Sequence, residues 1–209
     1  MNTNTIRQAF NFGWTTFKAN FRLLTACVLT FFGSWVILEV LVIAGQRLGF
    51  LWWLAAHLSF FVVFAGLEVG FIRMCLAIHD NDQVAYTDIF QALHLGGKYL
   101  LVQLAYFGIV LVGLVLLIVP GVYYGTRYSL YGQVFAEKSL SLKDAFQHSA
   151  GVGQSAMRVL LWLGFAIILL NIAGASVLGI GLIVTVPLTA LMKVYMYRQL
   201  TDPEKQINA

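Results

Sequence analysis

Six polar residues interrupt stretches of the chain that are otherwise apolar: Glu39, His57, Glu68, Arg127, Asn171 and Lys193. An ionisable side chain at the centre of a membrane helix costs about 2.5–3.5 kcal/mol on insertion scales, so the charged ones call for a partner or a purpose. Counting helical rise, Glu39, His57 and Arg127 each fall roughly 9 Å from one end of their segments, with Asn171 somewhat nearer that surface. Glu68 lies deeper, at nearly the level of Lys193. One use of these residues is a polar pathway or substrate site built from Glu39, His57, Arg127 and Asn171, with Glu68 and Lys193 as an inner pair. The other use, which carries more weight, is structural: a buried ion pair fixes which helices touch, and His57 is a neutral packing or hydrogen-bonding residue. Glu39 is the only acid at the depth of Arg127, so the two are expected within ion-pair reach. Lys193 has the further option of snorkelling to the nearer surface.

Other chemistry finds little support. The histidines His57, His79, His94 and His148 fall in no H-E-x-x-H, and there is no G-x-S-x-G, Walker A or dinucleotide fingerprint. Cys27 and Cys75 form no C-x-x-C and read as reduced packing residues. Asp80 and Asp82 lack the glycine and glutamate of a calcium loop and read as a solvated turn. The tyrosines around Arg127, with Tyr195 and Tyr197, suit either an aromatic belt or a lipid headgroup pocket, the belt being preferred. No catalytic residue, cofactor or metal is expected, and no nucleic-acid partner, because the basic residues form no continuous tract.

The elements that must position the six polar residues follow from composition. The 209 residues are 60% hydrophobic and 11% charged, with a mean hydropathy of +0.82. A chain of this size cannot hide so much apolar surface in one core, so a bilayer must cover the rest. We expect an all-α polytopic membrane protein, one integral membrane domain over 1–209, with six spans. The segments are Leu23–Gly45, Leu51–Ala77, Leu100–Val119, Val122–Ala136, Arg158–Gly174 and a sixth ending near Tyr197. Pro120-Gly121 should end the third, and the short, tyrosine-rich fourth is the weakest. The first segment is too long for a signal-peptide core and reads as an uncleaved anchor. With six spans, one face receives Arg7, Lys18, Arg22, Arg73, Lys98, Lys138, Lys143, Arg158, Lys193, Arg198 and Lys205, and the other only Arg47. The positive-inside rule then places both termini in the cytoplasm.

Three further segments show helical spacing of apolar residues: one from Ile6 through Ala9, Phe10, Gly13, Trp14, Phe17 and Phe21; one after Thr87-Asp88; and one after Ser141, with Asp144 completing a capping-box analogue. Each precedes an odd-numbered span and suits a cytoplasmic interfacial helix. The pattern suggests three hairpins, as repeats over 1–79, 80–137 and 138–200. Gly66 with Gly70, and Gly121 with Gly125, form G-x-x-x-G pairs that favour close packing within the chain.

Several of these features coincide with a known group. Leu117-Ile118-Val119-Pro120-Gly121-Val122, then Ser141-Leu142-Lys143-Asp144-Ala145-Phe146-Gln147-His148-Ser149, and Gly179-Ile180-Gly181-Leu182-Ile183-Val184-Thr185-Val186-Pro187 with Tyr195 and Tyr197 resemble the YciC-like family of bacterial inner-membrane proteins. They are also similar to the membrane domain of some glycerophosphodiester phosphodiesterases. The resemblance implies a multi-pass protein of the bacterial inner membrane and brings no activity with it. Three hairpins are similar in outline to mitochondrial carriers, but the carriers' proline–acid–basic signature is missing. The sequence therefore favours a non-enzymatic protein that organises or senses lipid, with membrane lipids or a membrane-protein partner as its ligands. A small transporter or channel using the polar cluster is the alternative.

Overall fold

The computed structural model describes residues 4–138, 141–177 and 179–201. Lys205, assigned above to the cytoplasmic face, lies outside the described residues. Among the described residues the chain is helical with no strand: α1 Asn4–Ala19, α2 Phe21–Ala44, α3 Phe50–His79, α4 Gly96–Leu116, α5 Ile118–Arg127, α6 Tyr131–Lys138, α7 Leu142–Ser155, α8 Met157–Ser176 and α9 Leu182–Thr201. Four stretches are long and apolar enough to cross a membrane: Phe21–Ala44, Phe50–His79, Tyr86–Leu116 and Met157–Ser176.

α2 and α3 form a hairpin through a 3-10 turn at Gln46–Leu48, closed by Gly49 at φ 79°. α8 and α9 form another, and the Gly174 and Gly181 backbones meet so closely that a Cβ on Gly181 would lie 2.5 Å from Gly174 O. These two turns mark what we call the loop end of the bundle. His79, Asp80 and Arg198 gather at the opposite end, near α1.

α9 is the axis of the molecule. It contacts α1, α2, α3 and α8, and Leu188, Leu191, Met192, Met196 and Tyr197 on it are all buried. A helix enclosed by protein has no need of a uniformly apolar surface. That is why α9 can carry Thr185, Thr189, Lys193 and a proline at 187. α1 packs Ala9, Gly13 and Phe17 toward this axis, with Gly13 against Leu188 and Met192. Phe10, Trp14 and Phe21 stay exposed. The aromatic residues expected to share one lipid-facing side are thus divided between protein and surroundings.

The stretch expected to form a helix after Thr87-Asp88 instead makes two 3-10 turns, Tyr86–Phe90 and Leu93–Leu95. Asp88 accepts a hydrogen bond from the Ala85 N–H at 2.8 Å. The segment is held down on the small residues of α3: a Cβ on Gly70 would sit 2.0 Å from Ile89 O, and one on Gly66 would sit 2.8 Å from Leu93 Cα. This G-x-x-x-G pair is therefore consumed by contacts within the chain.

The fourth expected span is divided. α4 ends at Leu116, before Pro120, and reverses direction across the single extended residue Leu117 (φ −162°, ψ 140°). Pro120 falls in the first turn of α5, where its missing N–H costs nothing. A Cβ on Gly113 would lie 2.7 Å from Gly121 Cα, so glycine on both helices allows this close hairpin. A turn at Tyr128–Leu130 separates α5 from α6. Ser141 caps α7 as the sequence suggests, donating to an Asp144 carboxylate oxygen at 2.6 Å and accepting from the Asp144 N–H at 3.4 Å.

The core is concentrated toward the α1 end. In α3 the buried residues all lie between Ala65 and Leu76, and in α2 all but Leu38 lie between Leu24 and Val28. Toward the loop end the two hairpins stand apart.

Candidate binding cavity

Between α2 and α3 on one side and α8 and α9 on the other is a cavity of about 880 Å³. This falls within the size range of small-molecule sites. Each wall is a stripe at helical spacing. α3 contributes His57, Phe60, Phe61, Phe64, Glu68, Phe71 and Ile72. α2 contributes Phe31, Phe32, Trp35, Leu38 and Glu39; α9 contributes Val186, Thr189, Ala190 and Lys193; Ile167 and Asn171 come from α8, and Gln133 from α6. Phe31 stands edge-on to Phe64 at a ring separation of 5.1 Å, and Phe60 lies 5.5 Å from Phe64.

Polar groups occupy two levels of this cavity. Glu39, His57 and Asn171 stand roughly 8–10 Å along their helices from the loop end, by the rise per residue. His57 Nδ1 is 2.8 Å from Trp53 O, and its ring lies 4.2 Å from that of Trp53. Asn171 donates weakly to Thr189 Oγ1 at 3.4 Å, while its own Oδ1 is buried without a partner. No donor or cation among the described residues pairs with Glu39. At the deeper level, Glu68 accepts from Tyr99 Oη at 3.2 Å and from Gln103 Nε2 at 2.5 Å, both on α4 behind it. Lys193 lines the cavity at the same level, but it forms no direct ion pair with Glu68.

Arg127 stands apart from this group. α5 packs on α4, α7 and α8, whereas α2 packs on α3 and α9. The guanidinium therefore does not reach Glu39. It lies over the Tyr123 and Tyr128 rings at 6.0 Å each, its Nη1 points to Tyr123 Oη at 3.4 Å, and its Nε is buried without a partner. The expected Glu39–Arg127 pair is replaced by a cation–π arrangement local to α5, which depth counting along separate helices could not foresee.

Among the described residues, ion pairs form at the α1 end. Arg198 binds Asp80 through Nε and Nη2 and binds Glu137 through Nη1, Tyr197 Oη donates to the other Glu137 oxygen, and His79 Nδ1 is 3.1 Å from Asp80. Asp80 thus ties the end of α3 to α9 instead of standing as a solvated turn. Burial would raise the Glu137 carboxyl, but hydrogen bonds from Tyr197 and Arg198 outweigh it and hold the group below its ordinary value of 4.5. The partners are separated by 61 and 118 residues in sequence, so only the fold reveals them.

Gln133, Thr189 and the aromatic wall also belong to the cavity and were not singled out by sequence. The signal was there in α3, where His57, Phe60, Phe61, Phe64 and Glu68 recur on one helical face. Cys27 and Cys75 are free and buried, with Cys27 Sγ 3.9 Å from Met74 Sδ. No group of His, Cys, Asp and Glu suited to a metal occurs among the described residues. No protein-family model, no curated protein and no solved structure matches this chain.

Proposed function

We propose that this chain is a non-enzymatic membrane protein that binds an amphipathic molecule within its helical bundle. The observation that carries this is the cavity: about 880 Å³, walled by phenylalanines, and polar only at Glu39, His57, Asn171 and Thr189 toward one end and Glu68, Gln133 and Lys193 at the other. Such a site offers a long apolar body and polar contacts at both ends, which suits a lipid or a lipid-like solute. The space opens to the side, since Phe32, Trp35 and Phe61 on its lining are exposed, so an amphiphile can enter from the bilayer. The expected result of a mass-spectrometric inventory of the purified protein is a retained amphiphile in roughly one copy per chain. Preparations holding only the bulk lipid mixture would reject the proposal.

The distribution of Lys and Arg supports six crossings with both termini cytoplasmic, the broken stretch 122–136 serving as the fourth and α9 as far as Tyr197 as the sixth, so that Glu137 and Arg198 lie at the cytoplasmic surface. The resemblance to the YciC-like proteins supports a bacterial inner-membrane location. A reporter inserted at Gly49 should then read as external and one after Ala209 as cytoplasmic; a cytoplasmic signal at Gly49 would remove this topology.

A second reading, small-molecule transport, is favoured by one feature: the polar groups lie at two levels of one cavity rather than at a single site. Proteoliposomes loaded with the retained amphiphile would release it if transport occurs, and would hold it if the protein only binds.

A further inference from the structure

The two acidic residues of the cavity are unequally partnered. At the deep level Glu68 is satisfied by Tyr99 and Gln103 and shares the lining with Lys193. Toward the loop end Glu39 has no donor and no cation among the described residues, all of whose ion pairs lie at the other end of the molecule. His57 turns Nδ1 to the Trp53 carbonyl. The cavity therefore holds one carboxyl group, Glu39, without a hydrogen-bond or ion-pair partner among the described residues. It stands one helical turn from Trp35, which lines the same space with Phe32, Phe60, Phe61 and Phe64. Aromatic faces carry negative quadrupole potential and attract cations, most strongly where water is excluded.

Building on the amphiphile-binding reading, we propose that the ligand is a lipophilic organic cation: a quaternary ammonium, phosphonium or protonated amine bearing apolar groups. Its positive centre sits beside Glu39, and its apolar groups lie among the phenylalanines. At the deep level the Glu68 carboxyl is already taken up by Tyr99 and Gln103, so the unpartnered Glu39 fixes the ligand's orientation. An anionic amphiphile is disfavoured by the same arrangement, because a headgroup seated at Lys193 would also meet the Glu68 carboxylate.

The test compares two ions of the same shape and opposite charge, tetraphenylphosphonium and tetraphenylborate. Each is dialysed to equilibrium against the full-length protein in nanodiscs of neutral lipid, with empty nanodiscs subtracted. We expect saturable binding of the phosphonium at one site per chain and at least tenfold weaker binding of the borate. Glu39→Gln should weaken phosphonium binding about tenfold or more, and Glu39→Asp should retain most of it. If Glu39→Gln does not fold, the comparison of the two ions on the unaltered protein decides alone. Borate binding as tight as or tighter than phosphonium binding would overturn the cation assignment and leave the amphiphile cavity standing. Saturation by neither ion would also overturn it; the copurifying-amphiphile inventory then decides separately whether the cavity reading survives.

Discussion

Adding one methyl group at Gly70 should unseat the Tyr86–Phe90 segment that packs on α3. A Cβ there would lie 2.0 Å from Ile89 O, 2.7 Å from its carbonyl carbon and 3.0 Å from its Cα, so every obstructing atom is backbone. Ordinary contact lies near 3.5–4.0 Å, and Tyr86–Phe90 must retreat by roughly 1.5 Å or more to reach it. That segment is pinned by the Tyr86 hydroxyl on Thr30 at 2.7 Å and by Asp88 on the Ala85 N–H. Overpacking of this kind costs about 1–3 kcal/mol. Replacing a mid-helix glycine by alanine returns about 0.8–1.0 kcal/mol of helix propensity. The net expectation for Gly70→Ala is a loss of up to about 2 kcal/mol, by difference of those two ranges. Gly33→Ala is the control, because a Cβ at Gly33 meets nothing within 4 Å; it should gain up to about 1 kcal/mol. Reversible unfolding in mixed micelles would measure both. Equal stability of the two variants would refute the packing argument. Loss of a dimer without loss of stability would mean that Gly66 and Gly70 face a second chain instead.

Three other outcomes are expected. The Glu137 carboxyl is held below its usual value, so its stabilising contribution is complete above the unfolded value of 4.5 and is lost as pH falls through the lower folded value; Glu137→Gln should flatten the acid limb of a stability–pH curve, and an unchanged limb would contradict this. Arg127→Met and Glu39→Gln should be additive within about 0.5 kcal/mol in a double-mutant cycle, since the two side chains do not meet; a larger coupling would restore the pair. Ser141→Ala should cost about 1 kcal/mol by removing the cap of α7, and Ser141→Gly less, with no loss from either counting against the cap.

The legibility of the chain follows the range of the forces involved. α2, α3 and α8 begin and end within a few residues of the apolar stretches that announce them, because each is specified by an unbroken run of its own sequence. The Ser141 cap is equally local. The split of α5 from α6 was not legible, since the turn at Tyr128–Leu130 carries neither glycine nor proline. Pro120 misled in the usual way: proline is a breaker inside a helix and a good first-turn residue at its start, and only the conformation of Leu117 decides between the two. The 3-10 path of 86–95 is imposed by the groove of Gly66 and Gly70, which is tertiary. In the cavity, the residues Glu39, His57, Asn171, Glu68 and Lys193 stood out because charge and amide in an apolar run are conspicuous. Their neighbours on the same faces did not, because a phenylalanine in a membrane helix is unremarkable until the opposite wall is known. Arg127 was grouped by depth alone, and depth says nothing about which side of a bundle a helix occupies.

Filling the cavity tests the account most directly. Ala190 on α9 lines it, and Ala190→Trp would place an indole in the space a ligand needs. Native mass spectrometry of the two proteins, matched for melting temperature, should find one amphiphile retained by the unaltered chain and none by the variant. A variant that folds and keeps the same bound molecule, or an unaltered protein that carries none, would contradict the claim that this bundle is built around a ligand.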